Sequence, residues 1–325
     1  MQIHFYMPES CLPPEEEMPF WLAGNPRKFE LPGKASTAQN WILLTCGHLR
    51  SAGADVSLSS KIPDSGIVIA LTGNLPAGYR APSGTFLVGV VADGLPHPAC
   101  HFHVVQNEVH AQRLPRSLFL PHWPQPGLIP RDPGRGDRFE NLVFYGDPPN
   151  LAPELRDPSF AENLKSRLGI SFRIAGSADW HDYSQTDCVL AVREFGQRPF
   201  LRKPATKLYN AWLAGAPFIG GSDSAFSADG RHGVDFLRCT SIREVDDAIR
   251  SLHESPDFRH RIVAAGREAS GRFAPWSTLA RWREALEKII PGAAAAYFSN
   301  HRSGKFLYEA TQRTSIAWDR LRGFS

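Results

Sequence analysis

Residues 187–220 read DCVLAVREFGQRPFLRKPATKLYNAWLAGAPFIG, and this stretch decides the fold. The run of apolar residues at 188–192 has the length and composition of a buried parallel strand. The helix predicted over 204–214 begins at Pro204, because a proline at the first helical position has the right φ and loses no hydrogen bond. A second strand is predicted at 217–220. The stretch therefore predicts a strand–loop–helix–strand unit of a parallel α/β sheet.

The same alternation of short apolar runs and helical patterns occupies both sides of this unit. The predicted strands are 2–7, 55–58, 66–71, 85–92, 102–106, 117–120, 141–145, 171–175, 188–192, 217–220 and 235–239. The predicted helices are 36–52, 158–168, 204–214, one opened by Ser241 with Glu244 in a capping box, 256–270, 276–289 and 304–320. Strands that alternate with helices are typical of parallel sheets of the Rossmann type.

A proline-rich segment divides this pattern into two halves. Residues 121–138 hold five prolines and three glycines, a composition typical of a linker between domains. We therefore predict an α/β protein with two Rossmann-like parallel-sheet domains that face a cleft. The predicted domains are 1–125 and 139–290, followed by a helical tail at 291–325.

The composition excludes several classes of protein. The chain has 325 residues, a net charge of +3 and five cysteines without CxxC spacing, and it lacks the dense basic stripe of a nucleic-acid binder. No signal peptide and no apolar run of about 20 residues is visible. We expect a soluble cytoplasmic protein whose weak positive charge also suits peripheral contact with the anionic inner membrane.

The loop and helix start within 187–220 predict an anion site. In open α/β sheets, ligands bind at the carboxyl ends of the strands, where a helix start offers free N–H groups and partial positive charge. Arg193 follows the strand, and Lys203, Thr206 and Lys207 surround the predicted helix start. A diphosphate matches this set of donors. The alternative is a solvated basic loop in front of an ordinary surface helix.

At this point the sequence resembles a known family. Residues 203–217 are similar to the KPxxKLxNAWxAGxP pattern of the donor-site helix in bacterial GT-B glycosyltransferases. Residues 183–193, with an aspartate before the strand and an arginine after it, resemble the strand that precedes this helix. Residues 102–107 resemble a core strand of the first domain, and Trp276 and Trp282 resemble the pattern of the C-terminal helix.

The resemblance implies a GT-B fold, in which domain 1–125 would bind the acceptor, domain 139–290 would bind the nucleotide and the tail 291–325 would cross back onto the first domain. It also implies a metal-independent transfer without a cofactor. The donor would be a nucleoside-diphosphate sugar of UDP or GDP that carries a hexose or deoxyhexose. The acceptor would be a hydroxyl of a glycan, a lipid-linked molecule or a small molecule, as in polysaccharide biosynthesis. Lys203 and Lys207 carry over as ligands of the diphosphate, with Arg193 as a third.

One departure from the family leaves the function open. Many retaining members have two glutamates separated by seven residues near this helix, whereas residues 220–226 here read GGSDSAF. Ser222 and Ser224 are expected to bind phosphate or ribose instead. The stereochemistry of transfer stays open, and so does an alternative function: a catalytically silent GT-B-like module that binds a nucleotide sugar or a glycan.

An inverting transferase needs a general base that deprotonates the acceptor hydroxyl. Asp93 and His97 follow the strand predicted at 85–92 and are our candidates for this role, with Glu108 as a third. The alternative is a simple turn that Asp93 caps.

The histidines of the first domain do not predict a metal site. His97, Cys100, His101 and His103 lie close together in sequence, but a zinc site needs three or four convergent ligands. Core or cleft histidines fit better. Loop 32–36 could approach the ligand from the first domain. The GxGxxG and GxxxxGK[ST] patterns are absent, which argues against dinucleotide and P-loop sites.

Overall fold

A computed structural model of the chain describes residues 1–24, 36–300 and 302–322. Its first sheet has six parallel strands in the order β2-β1-β3-β4-β5-β6. These strands are β1 Ile3–Tyr6, β2 Val56–Ser59, β3 Ser65–Leu71, β4 Gly84–Val90, β5 Phe102–Val105 and β6 Ser117–Phe119. The central strands β3 and β4 pair over seven residues and are buried along most of their length, as continuous apolar runs predict.

The second sheet has five parallel strands in the order β11-β10-β9-β7-β8. They are β7 Asn141–Tyr145, β8 Ser171–Ala175, β9 Cys188–Ala191, β10 Phe218–Gly220 and β11 Leu237–Arg238. Strand β7 lies between β8 and β9. The chain therefore adds β8 on one side of β7 and then β9, β10 and β11 on the other side. The prediction of two parallel-sheet, Rossmann-like units is confirmed.

Helices connect the strands and cover the sheets. They are α1 Met18–Leu22, α2 Leu44–Ser51, α3 Glu108–Arg113, α4 Pro153–Arg156, α5 Pro158–Leu168, α6 Thr206–Ala214, α7 Ser224–Asp229, α8 Ile242–Glu254, α9 Pro256–Ser270, α10 Pro275–Glu284, α11 Ile290–Ser299 and α12 Arg302–Arg322. A π-helical turn at Gln39–Leu43 leads into α2, and another at Ala285–Ile289 joins α10 to α11. The four short helices α1, α3, α4 and α7 are absent from the sequence prediction, and so is α11.

The predicted start of α6 is wrong by two residues. Pro204 lies before the helix, whose first residue is Thr206 and whose N-cap is Ala205 without a side-chain cap. The other end agrees with expectation, since α6 stops at Ala214 and Gly215 takes the left-handed conformation, with φ of 73°. The proline therefore shapes the loop in front of the helix rather than its first turn.

The chain returns to the first sheet after passing through the second. The apolar core of the first sheet includes Trp282, whose ring centroid lies 6.2 Å from that of Phe5. The final helix α12 also contacts this half, because Tyr308 Oη donates to His101 O and Arg116 Nη1 donates to Tyr308 O. The chain that returns from the second sheet thus contacts the core of the first sheet already at Trp282, before residue 290. The domain boundaries themselves stay a prediction.

The proline-rich segment is held firmly against the second sheet. Asp187 is buried and accepts hydrogen bonds from Arg131 and Arg135, the latter at 2.8 and 2.7 Å. Burial would raise the pKa of this carboxyl, but the bonds from Arg135 and from the Glu140 N–H outweigh burial and lower it. Residue 187 therefore anchors the segment that leads out of the first half.

His101 and His103 lie in the core of the first half. His101 Nδ1 accepts from the Leu87 N–H, and His103 Nδ1 accepts from Gln312 of α12. Burial lowers the pKa of His101 to about 4 and that of His103 to about 3, so both rings are neutral at physiological pH. Of loop 32–36, residues 32–35 lie outside the described residues. Within the described ranges, no helix is long and apolar enough to span a bilayer.

The contact between α6 and α9 gives a test of the packing. A Cβ atom at Gly266 would lie 2.4 Å from Trp212 Cδ1, inside a buried core, whereas one at Gly271 would find its nearest atom at 3.6 Å. Overpacking typically costs about 1–3 kcal/mol. We predict that Gly266→Ala is at least about 1 kcal/mol less stable than the matched control Gly271→Ala in urea denaturation. Equal stability of the two variants would contradict this packing.

Candidate functional site

A cavity of about 220 Å³ lies between the two sheets, at the edges where their parallel strands have their carboxyl ends. The first half contributes Asn40, Asp93 and residues 122–126, and the second half contributes residues that follow β7, β8 and β9 together with the start of α6. Ligand sites of parallel α/β proteins occupy this edge. The cavity is therefore the cleft that the sequence predicts, and it joins the two halves.

The start of α6 forms the base of the cavity. Its first hydrogen bond runs from the Leu208 N–H to Ala205 O, so the N–H groups of Thr206 and Lys207 precede the helical ladder. Both residues line the cavity. Thr206 Oγ1 is buried and has no hydrogen-bond partner within the described part of the chain. These donors and the helix dipole favour an anion at this point.

The side chain of Lys207 extends along the base of the cavity. A Cβ atom on Gly146 would lie 2.9 Å from Phe144 Cζ and 3.0 Å from Lys207 Cε, so an alanine at this position would press on both side chains. The ammonium lies 5.5 Å from the centre of the Phe144 ring. Burial, followed by repulsion from Arg193, lowers the pKa of Lys207 to about 7. An anion in the cavity would restore the charged form.

Arg193 is held by two side chains that the sequence analysis does not single out. Its Nε donates to Asp223 Oδ2 at 2.6 Å, and its Nη1 donates to Asn150 Oδ1 at 2.9 Å. Asp223 is 1% exposed, and burial raises its pKa despite the attraction of Arg193. Arg193, held in this way, lines the cavity. The only sequence signal for Asp223 is its place between the two serines.

Lys203 connects the two halves. Its ammonium lies 2.9 Å from Asp93 Oδ2, and Asp93 also accepts at Oδ1 from Gln106 Nε2. Gln106 and Asn107 follow β5, and both are buried. Asn107 Nδ2 donates to Ser224 Oγ at 2.8 Å. Three polar side chains of the first half thus contact the loop of Lys203 and the start of α7.

Of the residues expected to bind the donor, four line the cavity and two do not. Arg193, Lys203, Thr206 and Lys207 form part of its wall. Ser222 and Ser224 lie outside the lining, because Ser222 donates to Gly196 O and Ser224 accepts from Asn107. The two serines brace the loops around the cavity, and their binding of phosphate or ribose stays a prediction.

The candidates for the general base separate in the same way. Asp93 lines the cavity. His97 is buried outside the lining, where Nδ1 accepts from the Ala99 N–H and Nε2 contacts Pro76 O at 3.1 Å. Glu108 begins α3 and is exposed, also outside the lining. Of the three candidates, Asp93 is therefore the one that can reach a ligand in the cavity.

Solved structures with the same arrangement show what kind of fold this is. At 16% identity and a TM-score of 0.52, AviGT4, a glycosyltransferase involved in avilamycin A biosynthesis, aligns over 90% of this chain and 98% of its own. Anabaena HepE, solved with UDP-glucose, aligns over 88% and 99% at 13% identity and a TM-score of 0.52. The chain has the GT-B fold.

A third GT-B neighbour is the sucrose-phosphate synthase of Thermosynechococcus elongatus. It aligns over 90% of this chain and 100% of its own at 11% identity and a TM-score of 0.54. The structural neighbours are glycosyltransferases, so the GT-B expectation of the sequence is confirmed at the level of the fold. No protein-family model and no curated protein matches this chain.

The lowered pKa of Lys207 predicts a pH-dependent stability. The unfolded chain keeps this proton up to about pH 10.5, whereas the folded chain loses it near pH 7, so wild-type stability rises with pH between these values. We predict that Lys207→Met is more stable than the wild type below pH 7 and that the difference shrinks as the pH rises to 9. Urea denaturation at pH 6, 7.5 and 9 measures this.

The exposed Lys165 offers a matched control for the loss of an ammonium group. We expect Lys165→Met to differ little from the wild type at each pH. A Lys207→Met difference that stays constant from pH 6 to 9 would show that Lys207 does not release its proton in this range.

Proposed function

We propose that the chain is a glycosyltransferase that binds a nucleoside-diphosphate sugar at the start of α6 and transfers the sugar to an acceptor hydroxyl. The observation that carries this proposal is the shared cavity, where Arg193, Lys203 and Lys207 lie together with two backbone N–H groups that precede the helical ladder of α6. A diphosphate carries charge on several acceptor oxygens and matches three cations better than a neutral ligand does. The GT-B fold supports the same proposal.

The cations would act most strongly as the glycosidic bond breaks. The bond between the anomeric carbon and the phosphate oxygen breaks with its electron pair on the diphosphate, so negative charge grows beside Lys207 and Lys203. Donors that are already oriented toward developing charge lower the barrier without reorganisation. We propose that these basic groups neutralise the leaving group and that the transfer needs no metal ion. Among the described residues, no group of three or more His, Cys, Asp or Glu side chains is arranged to hold a metal.

Asp93 is the residue that we propose as the general base. It lines the same cavity from the first half of the chain. The acceptor O–H bond would break as its proton moves to the Asp93 carboxylate, while the acceptor oxygen bonds to the anomeric carbon. This single displacement inverts the anomeric carbon. Analysis of the product anomer by NMR would therefore contradict the role of Asp93 if the configuration were retained.

UDP is the nucleotide to test first, because the HepE neighbour was solved with UDP-glucose. The proposed acceptor is a hydroxyl of a glycan, a lipid-linked molecule or a small molecule. We propose that the protein acts in polysaccharide biosynthesis in the cytoplasm, with peripheral contact at the inner membrane. The net charge of +3 favours contact with an anionic membrane surface.

Calorimetric titration with UDP, GDP and UMP tests the donor site. Charge-assisted hydrogen bonds contribute enough that Lys203→Gln and Lys207→Gln should each weaken UDP binding about 10- to 100-fold. UMP should bind less tightly than UDP, because it lacks the second phosphate. Lys165→Gln, which removes an exposed lysine of the same half, is the control and should bind UDP as the wild type does.

Turnover of UDP-sugars by the wild type, followed as UDP release with candidate acceptors, separates an enzyme from a binding module. Release above the uncatalysed rate is expected. UDP binding without release on any acceptor would favour the catalytically silent module. If neither UDP nor GDP binds, both functions are contradicted.

A further inference from the structure

Gln106 makes contacts to both halves of the chain from a buried position. It follows β5 and is 3% exposed. Its Nε2 lies 2.7 Å from Asp93 Oδ1 and 2.7 Å from Arg202 O, the carbonyl just before Lys203. One side chain therefore contacts the proposed base and the backbone that carries a proposed phosphate ligand.

The orientation of this amide follows from its partners. Asp93 Oδ1 and Arg202 O are both acceptors, and a side-chain amide offers two donor hydrogens on its nitrogen and none on its oxygen. A rotated amide would place Gln106 Oε1 against two oxygens. Both hydrogens of Nε2 are used, so the position of the Asp93 carboxylate is set relative to the Lys203 loop.

The second carboxylate oxygen of Asp93, Oδ2, would compete for Lys203 with any anion that binds at the start of α6. Lys203 Nζ lies 2.9 Å from Asp93 Oδ2, and the two side chains are 30% and 53% exposed. Ion pairs with this exposure are weak and exchange partners readily. A diphosphate at the start of α6 would compete for this ammonium with more charge and with the added attraction of the helix dipole.

We propose that Gln106 is a positioning residue that keeps the Asp93 carboxylate in the cleft while Lys203 moves from Asp93 to the donor diphosphate. The inference rests on the proposed function. Donor binding would free Asp93 Oδ2 to accept the hydrogen bond, and then the proton, of the acceptor hydroxyl. Oδ1 would stay bonded to Gln106 throughout. Donor and acceptor would thus bind in that order, because Lys203 pairs with Asp93 Oδ2 until the diphosphate draws it away.

The first test measures UDP affinity by calorimetry for Asp93→Asn, Lys203→Gln and the double variant. Removing the carboxylate that competes for Lys203 should make UDP bind about two- to fivefold tighter, the range of exposed ion pairs. In the Lys203→Gln background, Asp93→Asn should give no such gain. Asp64→Asn, which removes an exposed carboxylate of the first half outside the cavity lining, should leave UDP affinity unchanged.

The outcomes of this cycle separate the two proposals. A wild type that binds neither UDP nor GDP overturns the proposed donor site, and if GDP alone binds, the same cycle is measured with GDP. A wild type that binds UDP, with Asp93→Asn unchanged or weaker, overturns only the exchange of Lys203. An equal gain in the presence and absence of Lys203 also overturns it, because the carboxylate would then act on UDP without Lys203.

The second test addresses Gln106 through UDP release from UDP-glucose with water as the acceptor. Gln106→Met should lower kcat about tenfold or more, in the range of losses from misplaced catalytic groups, with the KM for the donor changed less than about threefold. In the Asp93→Asn background the same substitution should cause no further loss of kcat. A loss of equal size in both backgrounds would mean that Gln106 does not act through Asp93.

Thermal unfolding of each variant accompanies these measurements, since Gln106 is buried. Gln106→Leu replaces the methionine variant if the latter does not fold. A wild-type kcat for either folded variant would overturn the positioning role.

Discussion

The positive charge gathered at the start of α6 is the constraint on which the rest of the cleft depends. Arg193, Lys203 and Lys207 lie around one cavity, and the helix dipole adds to their field. Burial, followed by repulsion from Arg193, lowers the pKa of Lys207 to about 7. Asp223 and Asp93 offset part of the repulsion, each as the ion-pair partner of one cation. An anionic ligand would balance the remainder.

The scaffold keeps these groups in place by joining the two halves at several points. Asn210 of α6 accepts a hydrogen bond from the Gln125 N–H, so the segment that leaves the first half is fixed to α6. Asn107 reaches Ser224 from the other side of the cleft. Trp282 packs in the core of the first sheet, to which the chain returns after the second sheet. A site built from both halves needs such connections, since a small displacement would separate Asp93 from the start of α6.

Much of the fold follows from local sequence patterns. Helices α5 and α9 and strands β7 and β8 have the bounds that the sequence predicts, because apolar runs, proline starts and glycine stops mark their ends. The short helices do not follow from these patterns, since four to six residues show no periodicity. The two-residue error at Pro204 has a similar origin: a proline suits a loop as well as a first helical turn.

The site is predictable where its chemistry lies within one segment. The residues 193–207 that line the cavity stand close together in the sequence, so their charge and spacing reveal them. The partners of these residues do not stand out. Asp223, Asn150 and Gln106 act across 30, 43 and 96 residues of chain, and such pairings follow from the sheet order rather than from any local pattern. The place of His97 after β4 makes it a candidate for the general base, but the structure places it outside the lining of the cavity.

A crystal structure of the protein with UDP would show where the diphosphate binds. We predict that the diphosphate lies at the start of α6, with the second phosphate within hydrogen-bond distance of the Thr206 or Lys207 N–H and of Lys203 Nζ. We also predict that Lys203 has left Asp93 while Gln106 still contacts that carboxylate. UDP bound elsewhere, or with its phosphates directed away from α6, would contradict a donor site at this helix.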